Sequence, residues 1–216
     1  MPGNTNGSYY SVNVGLMHLV FLSSEVMALA PYGGVTVESQ QTWLINDLKS
    51  VDRSVTPWIV AIFHRPFYCS NANSWCGPNA WQQNPVRLAF EPAFLQFGVD
   101  VVLGAHEHSV EYTWPVKEGA ATAFDYTNPT APVHVVAGVA GCNETDGECL
   151  NPMGPSAGNW SRVRLAGDPV QYGYSRFWAN NSTYFHLEQI QVLVGPTPVV
   201  WSEAVDIYQA NHGPFE

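Results

Sequence analysis

Apolar residues along this chain follow two rhythms. In the first half, stretches with a helical repeat alternate with short unbroken apolar runs, and in the second half an alternation of two predominates. Tyr9 to Leu22 reads as two strands joined by a tight turn at Asn13 to Gly15, and Ser23 to Val37 as a loop carrying glycine and proline. From Ser39 to Asp52 the apolar positions Trp43, Leu44, Leu48 and Val51 share one helical face, with Ser39 as the expected N-cap. Pro57 to Phe63 has the length and composition of a buried strand, and His64 stands just past it. The same order then repeats. Pro85 to Phe97 predicts a helix that Pro92 should kink or restart, Val99 to Leu103 predicts a strand, and His106 and His108 follow after Gly104-Ala105. Beyond these units come strands at Ala131 to Ala137, Tyr172 to Ala179, Thr183 to Val194 and Val199 to Tyr208, with a hairpin turn at Asn180-Asn181-Ser182. The expected fold class is α/β (α+β), in a single domain over residues 1–216. Helix–strand units fill about 1–115 and a β-rich part about 125–210.

Two helix–strand units thus deliver histidines from strand C-terminal ends, where open α/β sheets bind ligands. If the backbone stays extended past Gly104, the His106 and His108 imidazoles face one side, because strand side chains alternate. Neutral imidazoles that converge this way form part of a transition-metal site, which makes His64, His106 and His108 candidate ligands. An isolated His-x-His on a surface loop is as common as a ligand pair, so the repeated strand-end placement carries this reading. His18, His134 and His186 lie inside strand patterns and read as sheet residues, and His212 falls in a polar tail. Among the carboxylates, Asp100 lies early in its strand and Glu107 alternates away from the histidines. Glu111 is placed to accept an imidazole N–H, with an exposed loop carboxylate as the equal alternative. Arg65, next to His64, is placed either to face a phosphate or to pair on the surface.

Composition narrows the partners. The 216 residues carry a net charge of −10, with 46% hydrophobic and only 12% charged residues, and Lys49 and Lys117 are the only lysines. Such a surface argues against nucleic acid and anionic membranes, and no apolar run is long enough to span a bilayer. Four cysteines form two close pairs, Cys69 with Cys76 and Cys142 with Cys149, each bracketing a polar loop. Two local disulfides are the simplest reading. A four-cysteine zinc site is the alternative, though neither pair has Cys-x2-Cys spacing. Asn6, Asn143, Asn159, Asn180 and Asn181 each begin an N-glycosylation sequon. Together these features predict a secreted or endolysosomal chain, although Met1 to Gly7 has neither the basic start nor the apolar stretch of a signal peptide.

Two segments resemble the purple acid phosphatases, iron/zinc enzymes of the calcineurin-like metallophosphoesterase superfamily. Trp58-Ile-Val-Ala-Ile-Phe-His-Arg-Pro-Phe-Tyr-Cys-Ser-Asn71 is similar to the family's strand and loop bearing a histidine ligand. Gly98-Val-Asp-Val-Val-Leu-Gly-Ala-His-Glu-His-Ser-Val-Glu111 is similar to its final His-x-His segment. The similarity continues through Tyr126 to Cys142 and Tyr172 to Phe177. It implies the C-terminal part of a β-sandwich flanked by helices. It also implies a dinuclear centre in which His64 and His106 bind a divalent ion (Zn, Mn or Fe) and His108 binds Fe(III), with a phosphomonoester as substrate. The family's front-half motifs, Gly-Asp, Gly-Asp-x-x-Tyr and Gly-Asn-His-Glu, are absent, and Gly3-Asn4 runs instead into Thr5-Asn6. The resemblance therefore implies a C-terminal half with about three of seven metal ligands. Its partner would be the N-terminal half or a second copy in a homodimer. A non-catalytic glycoprotein module and a mononuclear zinc hydrolase are the other readings.

Overall fold

The computed structural model describes residues 7–28, 35–72, 75–140, 154, 156–166, 171–193 and 199–215. It opens with strands β1 (Tyr10–Val14) and β2 (Met17–Phe21), the short helix α1 (Glu25–Ala28) and helix α2 (Val37–Ser50). Strand β3 (Trp58–Ile62), helix α3 (Pro85–Phe97), β4 (Val101–Gly104) and β5 (Ser109–Thr113) follow. Then come the two-residue strands β6 (Val116–Lys117) and β7 (Ala120–Ala121), β8 (Val133–Ala137) and β9 (Ser161–Ala166). The last strands are β10 (Gln171–Ala179), β11 (Tyr184–Leu193) and β12 (Val199–Tyr208). Seven strands make one sheet in the order β1-β2-β3-β4-β8-β5-β9, and β10-β11-β12 make a second. In the large sheet β2, β3, β4 and β8 run parallel, so their C-terminal ends share one edge.

The period of two along each strand assigns the layers. In β3, Ile59 and Ala61 pack in a cluster with Leu44, Leu48, Phe90 and Phe94 from the helices. Their neighbours Trp58 and Val60 pack with Phe185, Leu187, Val205 and Ile207 from the small sheet. Helices, large sheet and small sheet therefore stack as three layers, and the central strands are apolar on both faces because both are covered. This is the mixed α/β architecture the sequence predicts.

Local chemistry shifts several boundaries. The hairpin between β1 and β2 turns at Gly15-Leu16 rather than Asn13 to Gly15, pairing Val14 with Met17. Gly15 supplies the positive φ of 56° that this turn requires. Helix α2 starts earlier than Ser39: Thr36 is the N-cap, and Ser39 is the third helical residue of a capping box, each side chain 3.1 Å from the other's backbone nitrogen. Helix α3 begins with the Asn84 side chain accepting from the Val86 and Arg87 amides and ends at Gly98, whose φ is 66°. Pro92 neither ends nor restarts it. That residue is exposed, on the solvent side of the helix, where the backbone hydrogen bond it cannot donate costs least.

Candidate metal centre

The parallel β2, β3 and β4 bring three loops to one edge. The β3 loop carries His64 and Arg65, and the β4 loop carries His106 and His108. The two loops are held against one another by backbone: Phe63 N donates to Leu103 O at 3.1 Å and Ala105 N to His64 O at 2.8 Å. Gly104 makes this approach possible, because a Cβ there would lie 3.0 Å from the Pro66 Cβ and 3.1 Å from its Cα.

The backbone does not stay extended past Gly104. His106 adopts a φ of 50°, a conformation that costs a non-glycine residue on the order of 1 kcal/mol. Glu107 N then donates to Ala105 O at 2.5 Å, and Ser109 N to Glu107 O at 2.8 Å. The condition for His106 and His108 to face one side, an extended backbone past Gly104, is therefore not met. His106 swings towards His64, with its Nδ1 3.0 Å from His64 Nε2. His108 buries an Nδ1 that has no hydrogen-bond partner. Among the described residues, the only His, Cys, Asp or Glu trio with ligand atoms within 4.8 Å is Cys69, Cys76 and Glu107. Its two sulfurs are joined in a disulfide, which removes this pair from the four-cysteine zinc alternative. Cys142 and Cys149 lie outside the described residues.

Hydrogen-bond roles fix the tautomers. The Arg65 guanidinium lies 2.9 Å from His106 Nε2 and can only donate. His106 therefore presents its Nε2 lone pair to Arg65 and donates from Nδ1 to His64 Nε2. Burial first, then the neighbouring Arg65 charge, push the His106 pKa down to about 4, so the ring stays neutral in mildly acidic solution. Arg65 is itself held by a residue the sequence reading passed over. Its Nε donates to Glu25 Oε1 at 2.9 Å, and Ser24 Oγ accepts from its backbone nitrogen at 2.9 Å. Partial burial pushes the Glu25 carboxyl up, and Arg65, joined by His64 and Ser24, more than reverses this, leaving it below the usual carboxylate range. The signal available in the sequence was position: Ser24-Glu25 follows β2 as His64 follows β3.

Two nitrogens bound to one ion at 2.0–2.1 Å lie about 2.9–3.4 Å apart for bond angles of about 90–110°. The 3.0 Å between His64 and His106 fits that span, provided the His106 proton moves from Nδ1 to Nε2, which requires Arg65 to withdraw from that nitrogen. The His108 Nδ1 has no hydrogen-bond partner, but it does not form a group of ligand atoms within 4.8 Å with the other two among the described residues. All three are nitrogens. The described residues thus fit a borderline divalent ion better than a hard ferric ion, which wants oxygen.

Glu111 does not reach an imidazole. Its carboxylate accepts from Ser70 N at 2.8 Å, Ser70 Oγ at 2.7 Å and Ser161 Oγ at 2.5 Å, so the expected role as an imidazole acceptor is corrected. Asp100 is structural, pairing with Arg53 at 2.8 Å and accepting from Ile59 N. His18 and His186 sit in strands and pair with Asp47 and Asp206 at 2.9 and 2.7 Å. His134 is wholly buried against Phe67 and Tyr68. His212 packs edge-on to Trp58 and lies 3.1 Å from Asp100. Of the sequon asparagines, Asn159, Asn180 and Asn181 are exposed, while Asn6 and Asn143 lie outside the described residues.

Residues 8–110 match the calcineurin-like phosphoesterase family model, and residues 131–197 match the iron/zinc purple acid phosphatase-like protein C model. Human acid phosphatase type 7 is 36% identical over 203 residues, covering 88% of this chain and 44% of that protein. Purple acid phosphatase 18 of Arabidopsis thaliana is 32% identical over 184 residues, covering 84% and 36%. The chain therefore spans less than half the length of these relatives. In fold it is similar to purple acid phosphatase PPD1 from yellow lupin seeds, with a TM-score of 0.70 and 20% identity over 97% of this chain and 34% of that one.

Proposed function

The chain belongs to the purple acid phosphatase family of calcineurin-like phosphoesterases, and from that premise we propose that it carries one part of a phosphomonoester-hydrolysing metal centre. His64 and His106 would hold the divalent ion, Zn, Mn or Fe; His108 would reach Fe(III), as the family resemblance implies, only in company with oxygen ligands from outside the described residues. The observation that carries the reading is the 3.0 Å approach of the two imidazole nitrogens across a turn strained at His106. Bound ions would polarise a phosphoryl oxygen and acidify a water. Arg65, released from His106 when that ring turns to a ligand, would present its guanidinium to a phosphate while Glu25 keeps it in place. The substrate class is a phosphomonoester.

A second reading has its own support. No carboxylate joins the three histidines among the described residues, and this favours a chain inactive until the aspartates and tyrosine of an upstream half complete the centre. The disulfide and exposed sequons support a secreted or endolysosomal glycoprotein in either case.

Metal content and p-nitrophenyl phosphate turnover at mildly acidic pH, on the purified chain and on a form joined to an upstream half, test both readings. Divalent metal should accompany the chain and be lost in His106→Ala, and turnover should appear with the upstream half. Equal metal in the variant, or a longer form that neither binds iron nor hydrolyses, would sink the assignment.

A further inference from the structure

Glu111 is a wholly buried acid for which the metal-centre reading has no use. It belongs to β5, three residues past His108, and Ser70 lies six residues past His64. The two segments leaving the histidine turns therefore meet at this carboxylate. Oε2 takes the Ser70 amide, and Oε1 takes the Ser70 and Ser161 hydroxyls. Alongside, Ser109 Oγ donates to Asn71 Oδ1 at 3.1 Å. The Cys69–Cys76 disulfide closes the loop that presents Ser70, and Gly154 N donates to Ser70 O at 2.6 Å. The turns are thus tied twice: by main chain beside the histidines, and by this clasp beyond them.

We propose that Glu111 is a positioning residue whose carboxylate clasps Ser70 to β5 and so sets the spacing of the His64 and His106 imidazoles without touching either. A carboxylate suits the task because it only accepts and can take three donors. A glutamine would turn an NH2 towards one of them. The role rests on the ligand reading of the histidines only where metal affinity is concerned.

The test compares Glu111→Gln and Ser70→Ala with Val205→Ala, a control that thins the core between the sheets. Three quantities are read: cobalt(II) affinity from visible absorption, the imidazole tautomers of the metal-free chain from long-range 1H–15N spectra, and the melting temperature. The two clasp variants should weaken cobalt binding about tenfold or more and shift His106 from the Nδ1–H form. Val205→Ala, at a similar loss of melting temperature, should leave both unchanged. Wild-type tautomers and affinity in Glu111→Gln would overturn the proposal, as would losses in Val205→Ala that match its drop in stability. If the wild-type chain takes up no cobalt, the ligand reading fails and the tautomers alone decide the clasp.

Discussion

At the residue scale, His134 shows how burial can decide a titration. Its ring is enclosed by Phe67 and Tyr68, and burial pushes its pKa down to about 3 from an ordinary 6.5. As pH falls below 6.5 the unfolded chain takes up a proton there that the folded chain refuses. Stability should drop by up to about 1.4 kcal/mol per pH unit until the folded pKa is reached. His134→Leu should flatten this acid limb, which urea unfolding between neutral and acidic pH would measure; an unchanged slope would mean the ring titrates normally. The overlapping sequons give a second prediction. Asn181 Oδ1 accepts from Thr183 N at 2.8 Å and from Thr183 Oγ1 at 3.0 Å, the asparagine–hydroxyl pairing within one sequon. The Asn180 side chain is instead taken by Trp178 Nε1 at 2.7 Å. In a chain routed through a secretory pathway, peptide mass spectrometry should find the glycan on Asn181, and Asn181→Gln should remove it without transfer to Asn180.

At the element scale, the histidine-bearing turn after β4 is shaped by what surrounds it. A Cβ on Gly138, just past β8, would fall 1.7 Å from the Glu107 carbonyl oxygen. The β8 exit and the His106–His108 turn therefore touch backbone to backbone, and Gly138 N donates to Ser109 O at 3.0 Å. Gly138→Ala should cost about 1–3 kcal/mol through overpacking, read from the urea midpoint, and should reduce metal uptake along with it. A neutral effect would mean the turn yields more easily than its contacts imply. Strand β5 shows the same dependence on context. Val110 and Tyr112 pack into the core between the sheets. Ser109, Glu111 and Thr113 are equally buried on the other face, where their polar atoms are hydrogen-bonded rather than solvated.

At the scale of the whole molecule, the large sheet is the shared wall of two cores, with helices α2 and α3 on one face and the small sheet on the other. Loss of either layer strips one face of the same strands. Unfolding should therefore be a single transition, superimposable by tryptophan fluorescence and far-ultraviolet circular dichroism. Separate midpoints would show that the small sheet melts on its own. The outer face of that sheet carries the exposed Tyr172, Tyr174 and Trp178, so the apolar content of the chain is not wholly spent on its core.

The sequence by itself determined helices α2 and α3, the buried strands β3 and β4, the later strands β8, β10, β11 and β12, and the delivery of histidines from two strand ends. These depend on short-range periodicity and on caps and turns, which neighbouring residues encode. A hairpin turn moved to the glycine that tolerates positive φ, and a helix start moved to the threonine that caps it; α1, in the stretch read as a loop, and the strands β5, β6, β7 and β9 were not legible in the sequence. Only the tertiary structure decided which side chains meet. His106 leaves the extended path in a turn whose backbone is hydrogen-bonded to His64 beside Pro66, and Arg65 finds Glu25 because β2 and β3 run parallel. Glu111 finds Ser70, forty-one residues away, rather than a histidine three residues away. Contacts between loops at a shared sheet edge depend on strand order and register, and no local pattern in the chain records either.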